Sequence, residues 1–504
     1  MQREETPSSY HPVDGQFITA LRQIITDRQI TLDADTLTTL STGPLGTFRA
    51  FDAAPLLNTV SEIAVHPDTT AQVASIVSLA GQWQIPIMPY GSGTGVMGGA
   101  SPIYGGILLD LRRLDQIVDF DPISHTITAQ SGAILGDLQY YLSEHGFMIG
   151  HDPWSQPIAS LGGAISTNGV GYLASKYGPM GDQVLGLTVV LANGSIIIDK
   201  NTSKDSMGPD TKNLFIGSEG TLGVITEATI RIYPIPECFR VVSFSFESFS
   251  DGYNAILRMQ TLTTPPSMID FAEEIDLEHD YPNSKITLHM AFQGSNEIVE
   301  ISIQKALSLC AQYNGHLLDQ SVSDEFWNTR HDTATSYQAT LKLPLAERQK
   351  RHSSWRKDYL HVTIPPSQIL AYRDACKSIT ANYGSLVTEW SIWGRTEFFS
   401  FIVGEPQYDD GHSHSMSTMI DELLLTAVQF GGTIEYCHGI GLKLSHLVRR
   451  EQESKAPLMS LIKRSLDPNH ILNPGKLGYD YPPPDAYKPL STSVGNNLST
   501  DPRG

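Results

Sequence analysis

Five glycines in nine residues fall within Pro89-Tyr90-Gly91-Ser92-Gly93-Thr94-Gly95-Val96-Met97-Gly98-Gly99-Ala100, directly after the apolar run Ile85-Pro86-Ile87-Met88. No other stretch restricts the fold as strongly. A main chain of this kind can enter φ > 0 and aim successive N–H groups into one small volume, which makes a nest for an anion. With no Cβ in the way, a diphosphate can lie directly on the backbone, and the Ser92 and Thr94 hydroxyls add donors. A tight surface loop would use the same residues. The usual nucleotide templates are not met in full around Gly93, Gly95 and Gly98, and there is no Gly-Lys-Ser/Thr. A different phosphate cradle is needed.

The segments around this loop alternate short strands with single helices. Phe17 to Ile25 has apolar residues every three to four positions and predicts a helix in an N-terminal lead, 1–54. A second helix is predicted from Asp68 as N-cap, with Val73, Ile76, Val77 and Ala80 on one face. Ile85 to Met88 and Gly106 to Leu111 read as buried strands, and Gln116 to Phe120 pairs with His125 to Ala129 across Asp121-Pro122. Leu135, Leu138 and Leu142 mark a helix ended by Gly146. Val184 to Leu191, Asn193-Gly194 and Ser195 to Ile198 predict a hairpin whose turn is type I′.

Two further small-residue loops follow. One runs from His151-Asp152-Pro153-Trp154-Ser155 through Ser160-Leu161-Gly162-Gly163-Ala164-Ile165-Ser166-Thr167-Asn168-Gly169-Val170-Gly171 to Lys176-Tyr177-Gly178. The other is Gly217-Ser218-Glu219-Gly220-Thr221-Leu222-Gly223-Val224-Ile225-Thr226, leading into the alternating strand Ala228 to Tyr233. Three such loops in one α+β region suggest a long ligand threaded across backbone.

The order of these loops resembles the FAD-binding half of the vanillyl-alcohol oxidase and p-cresol methylhydroxylase superfamily. The C-terminal Cys437-His438-Gly439-Ile440-Gly441 and Leu466-Asp467-Pro468-Asn469-His470-Ile471-Leu472-Asn473-Pro474-Gly475-Lys476 are similar to its D-lactate dehydrogenase, D-2-hydroxyglutarate dehydrogenase and glycolate oxidase flavoprotein branch. The resemblance covers roughly 55–235 and 425–478 with specific motifs and is loose between them. It implies an α+β fold with a PCMH-type FAD-binding domain of two subdomains over 55–235 and a cap domain over 236–425, an antiparallel sheet flanked by helices. A segment at 426–480 returns to the flavin, and 481–504 is a loose tail.

The same resemblance carries the pyrophosphate of FAD onto Pro89, Tyr90, Gly91, Ser92, Gly93, Thr94, Gly95 and Gly98. Ribityl chain and flavin ring fall to His151, Pro153, Ser160, Leu161, Gly162, Gly163, Ser166, Thr167, Asn168, Gly169, Gly171 and Tyr177. Glu219, Gly220, Gly223, Val224 and Ile225 lie near flavin or adenine, while Asn473 and Lys476 close the site. Planar rings need close backbone contact, which small residues permit. Some relatives attach FAD through a first-loop histidine. Residues 89–100 contain none, so noncovalent FAD is expected, with His151 the remaining position for a link.

A hydroxyl-oxidising flavoenzyme needs a base beside the flavin and a group to hold its substrate. The resemblance implies His438 as base, Arg330 as the planar fork for a carboxylate, and His361 on a cap strand facing the site. Metal-dependent relatives carry Gly-His-x-Gly-Asp-Gly-Asn-x-His and the glutamate of Glu-His-Gly. Here those ligand positions read Ile392, Phe399 and Cys437, so no metal is expected, and Ile392, Trp393, Phe398 and Phe399 are expected to line an apolar pocket. Glu435 could offer a carboxylate near the site but reads rather as a solvent-facing or helix-associated acid, and His412 with His414 reads as a solvated loop rather than a metal site.

The implied function is FAD-dependent dehydrogenation of a 2-hydroxy acid or a larger aromatic or sugar alcohol, the electrons leaving to oxygen, a quinone or a carrier protein. Non-redox alkyl transfer, as in alkyl-dihydroxyacetone-phosphate synthase, and a flavin-binding partner subunit without catalysis are the alternatives. With 34 basic against 54 acidic side chains and a net charge of −20, the chain lacks the basic footprint of a nucleic-acid binder. Cys238, Cys310, Cys376 and Cys437 are too scattered for iron–sulfur or zinc-ribbon spacing. No apolar run reaches bilayer length, and a cytoplasmic homodimer is the default expectation. Six basic residues, Lys342, Arg348, Lys350, Arg351, Arg356 and Lys357, form a local positive run that could gather an anionic substrate or dock an acidic electron carrier and reads more simply as a solvated face.

Overall fold

The computed structural model describes residues 10–45, 54–275, 284–341, 343, 347, 355–406 and 414–479. The basic run, His412, the side chain of His414 and the C-terminal tail lie largely outside the described residues.

Three sheets organise the chain. In the first, the strand order is Ile30–Thr31, Ile63–Val65, Ile107–Asp110, Ile87–Tyr90, the last three parallel. Ile63–Val65 and Ile107–Asp110 are buried throughout, as strands covered on both faces require. Helix Thr70–Trp83 makes the crossover and buries Val73, Ile76, Val77 and Ala80. Its N-cap is Thr69, not Asp68: the Thr69 hydroxyl accepts the Gln72 N–H at 3.2 Å, while Asp68 pairs with Arg113. Helix Gly15–Leu21 stops before Ile25 and is capped by Asp14. From the far end of the chain, Ile471–Asn473 joins the edge of this sheet, where Ile87 N–H donates to Ile471 O and Asn473 N–H to Ile87 O.

The second sheet is antiparallel, ordered Ile117–Asp121, Thr126–Gln130, Val224–Arg231, Val184–Val190, Ile196–Ile198. The hairpin expected at Asn193-Gly194 is present, but its turn is different. Only Gly194 has positive φ, at +82°, and Leu191 N–H pairs with Ser195 O, so the loop has three residues with glycine alone in the left-handed position.

The third sheet has seven antiparallel strands: His316–Leu317, Cys238–Ser245, Ser284–Gly294, Met268–Ile275, Leu386–Trp393, Phe398–Pro406, Trp355–Thr363. Helices Phe249–Met259, Asn296–Gln312, Ile369–Asn382 and His414–Gln429 supply buried side chains to its core, including Tyr253 and Tyr372, which pack with Trp390, Phe399 and Phe401. The expectation of an α+β chain with an antiparallel cap sheet flanked by helices holds. All four cysteines are free thiols, Cys238 half-buried and the others buried.

His289, in Ser284–Gly294, stacks on Phe326 with ring centroids 4.0 Å apart and bonds Ser243 Oγ at 2.7 Å. Burial pushes its imidazole down to about 4. Because the folded value lies below the unfolded one, the unfolded chain protonates first, and stability is lost as pH falls from about 6.5 towards 4. In urea unfolding at pH 7 and pH 5, the parent should lose more stability than His289→Gln; a pH-independent difference would refute this.

Candidate functional site

The first glycine loop leaves strand Ile87–Tyr90 at the C-terminal edge of the parallel strands. Gly93 takes φ +67°, a value that L side chains adopt only with strain. Among the described residues, the N–H groups of Ser92, Gly93, Thr94 and Gly95 have no protein acceptor, so they remain available to a ligand. The second loop becomes helix Leu161–Thr167, capped by Ser160. A Cβ on Gly162 would stand 2.6 Å from Ser131 Cβ, so only glycine lets this helix sit so close to the strand end. The third loop lies on the first, with Gly220 against the Pro89 ring.

Together the loops and the cap wall enclose a cavity of about 380 Å³. Its lining holds Pro89, Tyr90, Gly91, Ser92, Gly93, Thr94, Gly95, His151, Pro153, Ser160, Gly162, Gly163, Ser166, Thr167, Gly169, Glu219, Gly220, Gly223, Val224 and Ile225. His361 and His438 face the same space. Three buried polar atoms along it, Ser92 Oγ, Ser131 Oγ and His151 Nδ1, have no protein partner. Such atoms cost free energy unless a ligand or water meets them. Bare N–H groups, a cradle that a Cβ would fill and orphaned donors are what a dinucleotide needs, so the residues fit FAD.

Other residues named from sequence support the cavity from behind. Leu161 is core. Asn168, at φ +50°, ends its helix and accepts Gly181 N–H. Gly171 packs against the Asp152 backbone, and Tyr177 lies tilted against Tyr233 while accepting a hydrogen bond from Gln293 Nε2. Gly98 lines a smaller cavity of about 170 Å³ behind the first loop, with Arg112 and Thr42. Asn473 donates to Gly99 O and Glu219 O, and Lys476 to Ser101 O.

Glu219 joins the two halves of the site. Its carboxylate accepts Ile440 N–H at 2.7 Å and Gly441 N–H at 2.9 Å, tying the third loop to the His438 segment. Burial pushes this carboxyl up to about 7 against the pull of those N–H groups, and burial likewise pulls Lys476 down to about 7. Glu435, expected at the surface, has a side chain only 3% exposed, and its Oε1 accepts the N–H groups of Cys437 and His438.

Arg330 is placed differently from the expectation. It does not line the cavity: its Nε donates to Asp152 Oδ2 at 2.9 Å, Nη1 donates to Trp327 O, and the guanidinium lies 3.7 Å from the Trp327 ring centroid. His331 meets the other Asp152 oxygen at 2.7 Å. The carboxylate held here is the protein's own, and the cluster joins the cap to the second loop, while Tyr337, whose hydroxyl donates to Gly93 O, joins the cap to the first. Ile392 and Phe399, expected to line a pocket, do not reach the cavity. Both are fully buried in the cap core, Phe398 stacks on Tyr436, and only Trp393 of the four reaches the cavity. In a strand, alternate residues face opposite sides, and Trp393 lies on the side away from Ile392.

Sequence reasoning missed Ser131, Trp154 and Tyr172 as lining residues. Trp154 and Tyr172 flank the second glycine loop, and a large ring next to small residues was the available signal. No lysine or arginine lines the cavity among the described residues. No described helix is long and apolar enough to cross a membrane.

Comparison with known proteins gives two family matches, an FAD binding domain over residues 61–199 and the C-terminal domain of FAD linked oxidases over 235–477. The chain is similar to glycolate oxidase subunit GlcD of Bacillus subtilis, 28% identical over 438 residues, covering 85% of this chain and 91% of that one. It is equally similar to a D-lactate dehydrogenase of Anaerostipes hadrus, 28% identical over 441 residues, covering 83% and 90%. Among solved structures, p-cresol methylhydroxylase matches with TM-score 0.73 at 20% identity, covering 94% of this chain and 98% of that one. An alkyldihydroxyacetonephosphate synthase also gives 0.73, at 18% identity, covering 94% and 87%.

Proposed function

We propose a function from the premise that this chain belongs to the PCMH-type FAD-linked oxidases, related to the D-lactate dehydrogenase and glycolate oxidase branch: it dehydrogenates a hydroxyl-bearing carbon of an organic substrate. One observation carries this reading. Two imidazoles, His361 and His438, stand with ring centroids 4.5 Å apart on the wall of the cavity that the three glycine loops build.

Bound FAD would supply the hydride acceptor. The chain's own part is to take the hydroxyl proton, orient the carbon and keep water out. His438 is the base in this reading. Its ring is half-buried, and Glu435 Oε1 lies 4.0 Å from its Nδ1, which favours the imidazolium that proton uptake creates. Trp393, Tyr172 and Trp154 supply flat apolar walls for the body of the substrate.

With Arg330 committed to Asp152 and no cation among the described lining residues, an alcohol with an aromatic or apolar body suits the cavity better than a small 2-hydroxy acid. The hydroxy-acid reading rests on His438 and on the similarity to glycolate oxidase and D-lactate dehydrogenase relatives. In this reading FAD is held without a covalent bond, since the first loop has no histidine.

Flavin-loaded protein mixed anaerobically with a panel of aromatic alcohols and 2-hydroxy acids should bleach with an aromatic alcohol first. A flavin that none of them bleaches would sink the redox reading and leave alkyl transfer or a non-catalytic subunit. Acid precipitation should leave the flavin in the supernatant; flavin in the pellet would mean a covalent bond.

A further inference from the structure

We propose that His361, Cys437 and His438 form a three-ligand site for a borderline-soft divalent cation, zinc the reference case, with the fourth position open to the cavity. The three side chains each present a donor atom, and these atoms all lie within 4.8 Å of one another. Cys437 Sγ is 3.8 Å from His438 Nε2, and the two imidazole planes cross at 88°. Around a tetrahedral ion with metal–sulfur near 2.3 Å and metal–nitrogen near 2.0 Å, donors stand roughly 3.3–3.6 Å apart. Closing the set therefore takes small side-chain movements.

The main chain fixes this spacing. Thr433 N–H donates to Thr363 O at 3.0 Å and Tyr436 N–H to His361 O at 3.2 Å, so the segment bearing Cys437 and His438 is laid against the strand bearing His361. Behind the set, Glu435 Oε1 lies 4.0 Å from His438 Nδ1, the ring nitrogen away from the sulfur. At that distance the carboxylate acts on the ring through its charge, which raises the basicity of a ligating imidazole. Two imidazoles and a thiolate suit zinc better than magnesium or calcium, which take oxygen ligands.

This set differs from the one whose loss the sequence shows. Both of its imidazoles come from other positions, and Ile392 and Phe399 stay in the cap core. On binding, the Cys437 thiol releases its proton to solvent as the sulfur–metal bond forms, and a water or a substrate hydroxyl completes the coordination. A metal bound at His438 Nε2 occupies the lone pair that would accept the substrate proton, so the cation inhibits the dehydrogenation proposed above. That consequence rests on the proposed function, whereas the binding itself does not.

Flavin-loaded, chelator-treated protein titrated with zinc chloride in a calorimeter should bind one ion per chain with proton release. Affinity should fall more than about 100-fold in Cys437→Ala and in His361→Phe, and about tenfold in Glu435→Gln. No saturable binding by the parent, or equal affinity in Cys437→Ala and His361→Phe, would overturn the site. Zinc should also slow flavin reduction by the alcohol that bleaches it. If zinc binds with the expected dependence but reduction proceeds unchanged, the site stands and the role of His438 as base fails.

Discussion

His438→Asn should keep its flavin and lose the ability to have it reduced. General-base catalysis contributes about 10²–10⁴ in rate, so stopped-flow reduction by the best alcohol should slow by that factor. FAD content per chain should match the parent. The expectation follows from position: the imidazole faces the cavity, whereas the bonds that hold its segment run through Glu219 to the N–H groups of residues 440 and 441 and through Glu435 to those of 437 and 438. None of these needs the His438 ring, so the asparagine variant should leave the segment in place. Reduction within threefold of the parent would remove His438 from the chemistry.

Gly93→Val should give a folded protein that no longer retains FAD. At φ +67° a β-branched residue is strained by roughly 1–3 kcal/mol, and its Cβ would stand 2.4 Å from the Tyr90 hydroxyl. The loop relieves that strain by turning its N–H groups away from the common centre. Equilibrium dialysis should show FAD affinity at least about 100-fold weaker, the loss of roughly two charge-assisted hydrogen bonds. Circular dichroism should be unchanged, since the loop follows a strand whose pairing lies upstream, at residues 87–90. A yellow variant with parental affinity would show that the anion nest lies elsewhere.

Much of the cofactor half was legible because its signals are local. Where Gly93 and Gly220 take positive φ, the residue type itself reports the backbone. Strands such as Ile107–Asp110 announce themselves by unbroken apolar runs, and the three loops are each contiguous in sequence. Details that depend on one neighbour slipped: the cap is Thr69 and not Asp68, and the Asn193-Gly194 turn has one left-handed residue and not two.

The cap half was harder to read because its contacts run between distant positions. Arg330 had the right type and surroundings for gripping a carboxylate, yet a carboxylate already stands beside it in Asp152, at 2.9 Å. Glu435 looked like a surface acid until its neighbours' N–H groups turned it inward. Strand parity sends Trp393 to the cavity and Ile392 to the core, and parity depends on which face the sheet covers.

The residue order alone determined where the chain can bend onto a ligand, because glycine's freedom and apolar periodicity belong to each segment by itself. Only the tertiary structure decided which side chains meet in the cleft. His361, Cys437 and His438 converge, and Arg330 is held away, because antiparallel pairing and main-chain bonds bring remote segments into register. Those distances belong to the assembled sheet and to no single stretch of sequence.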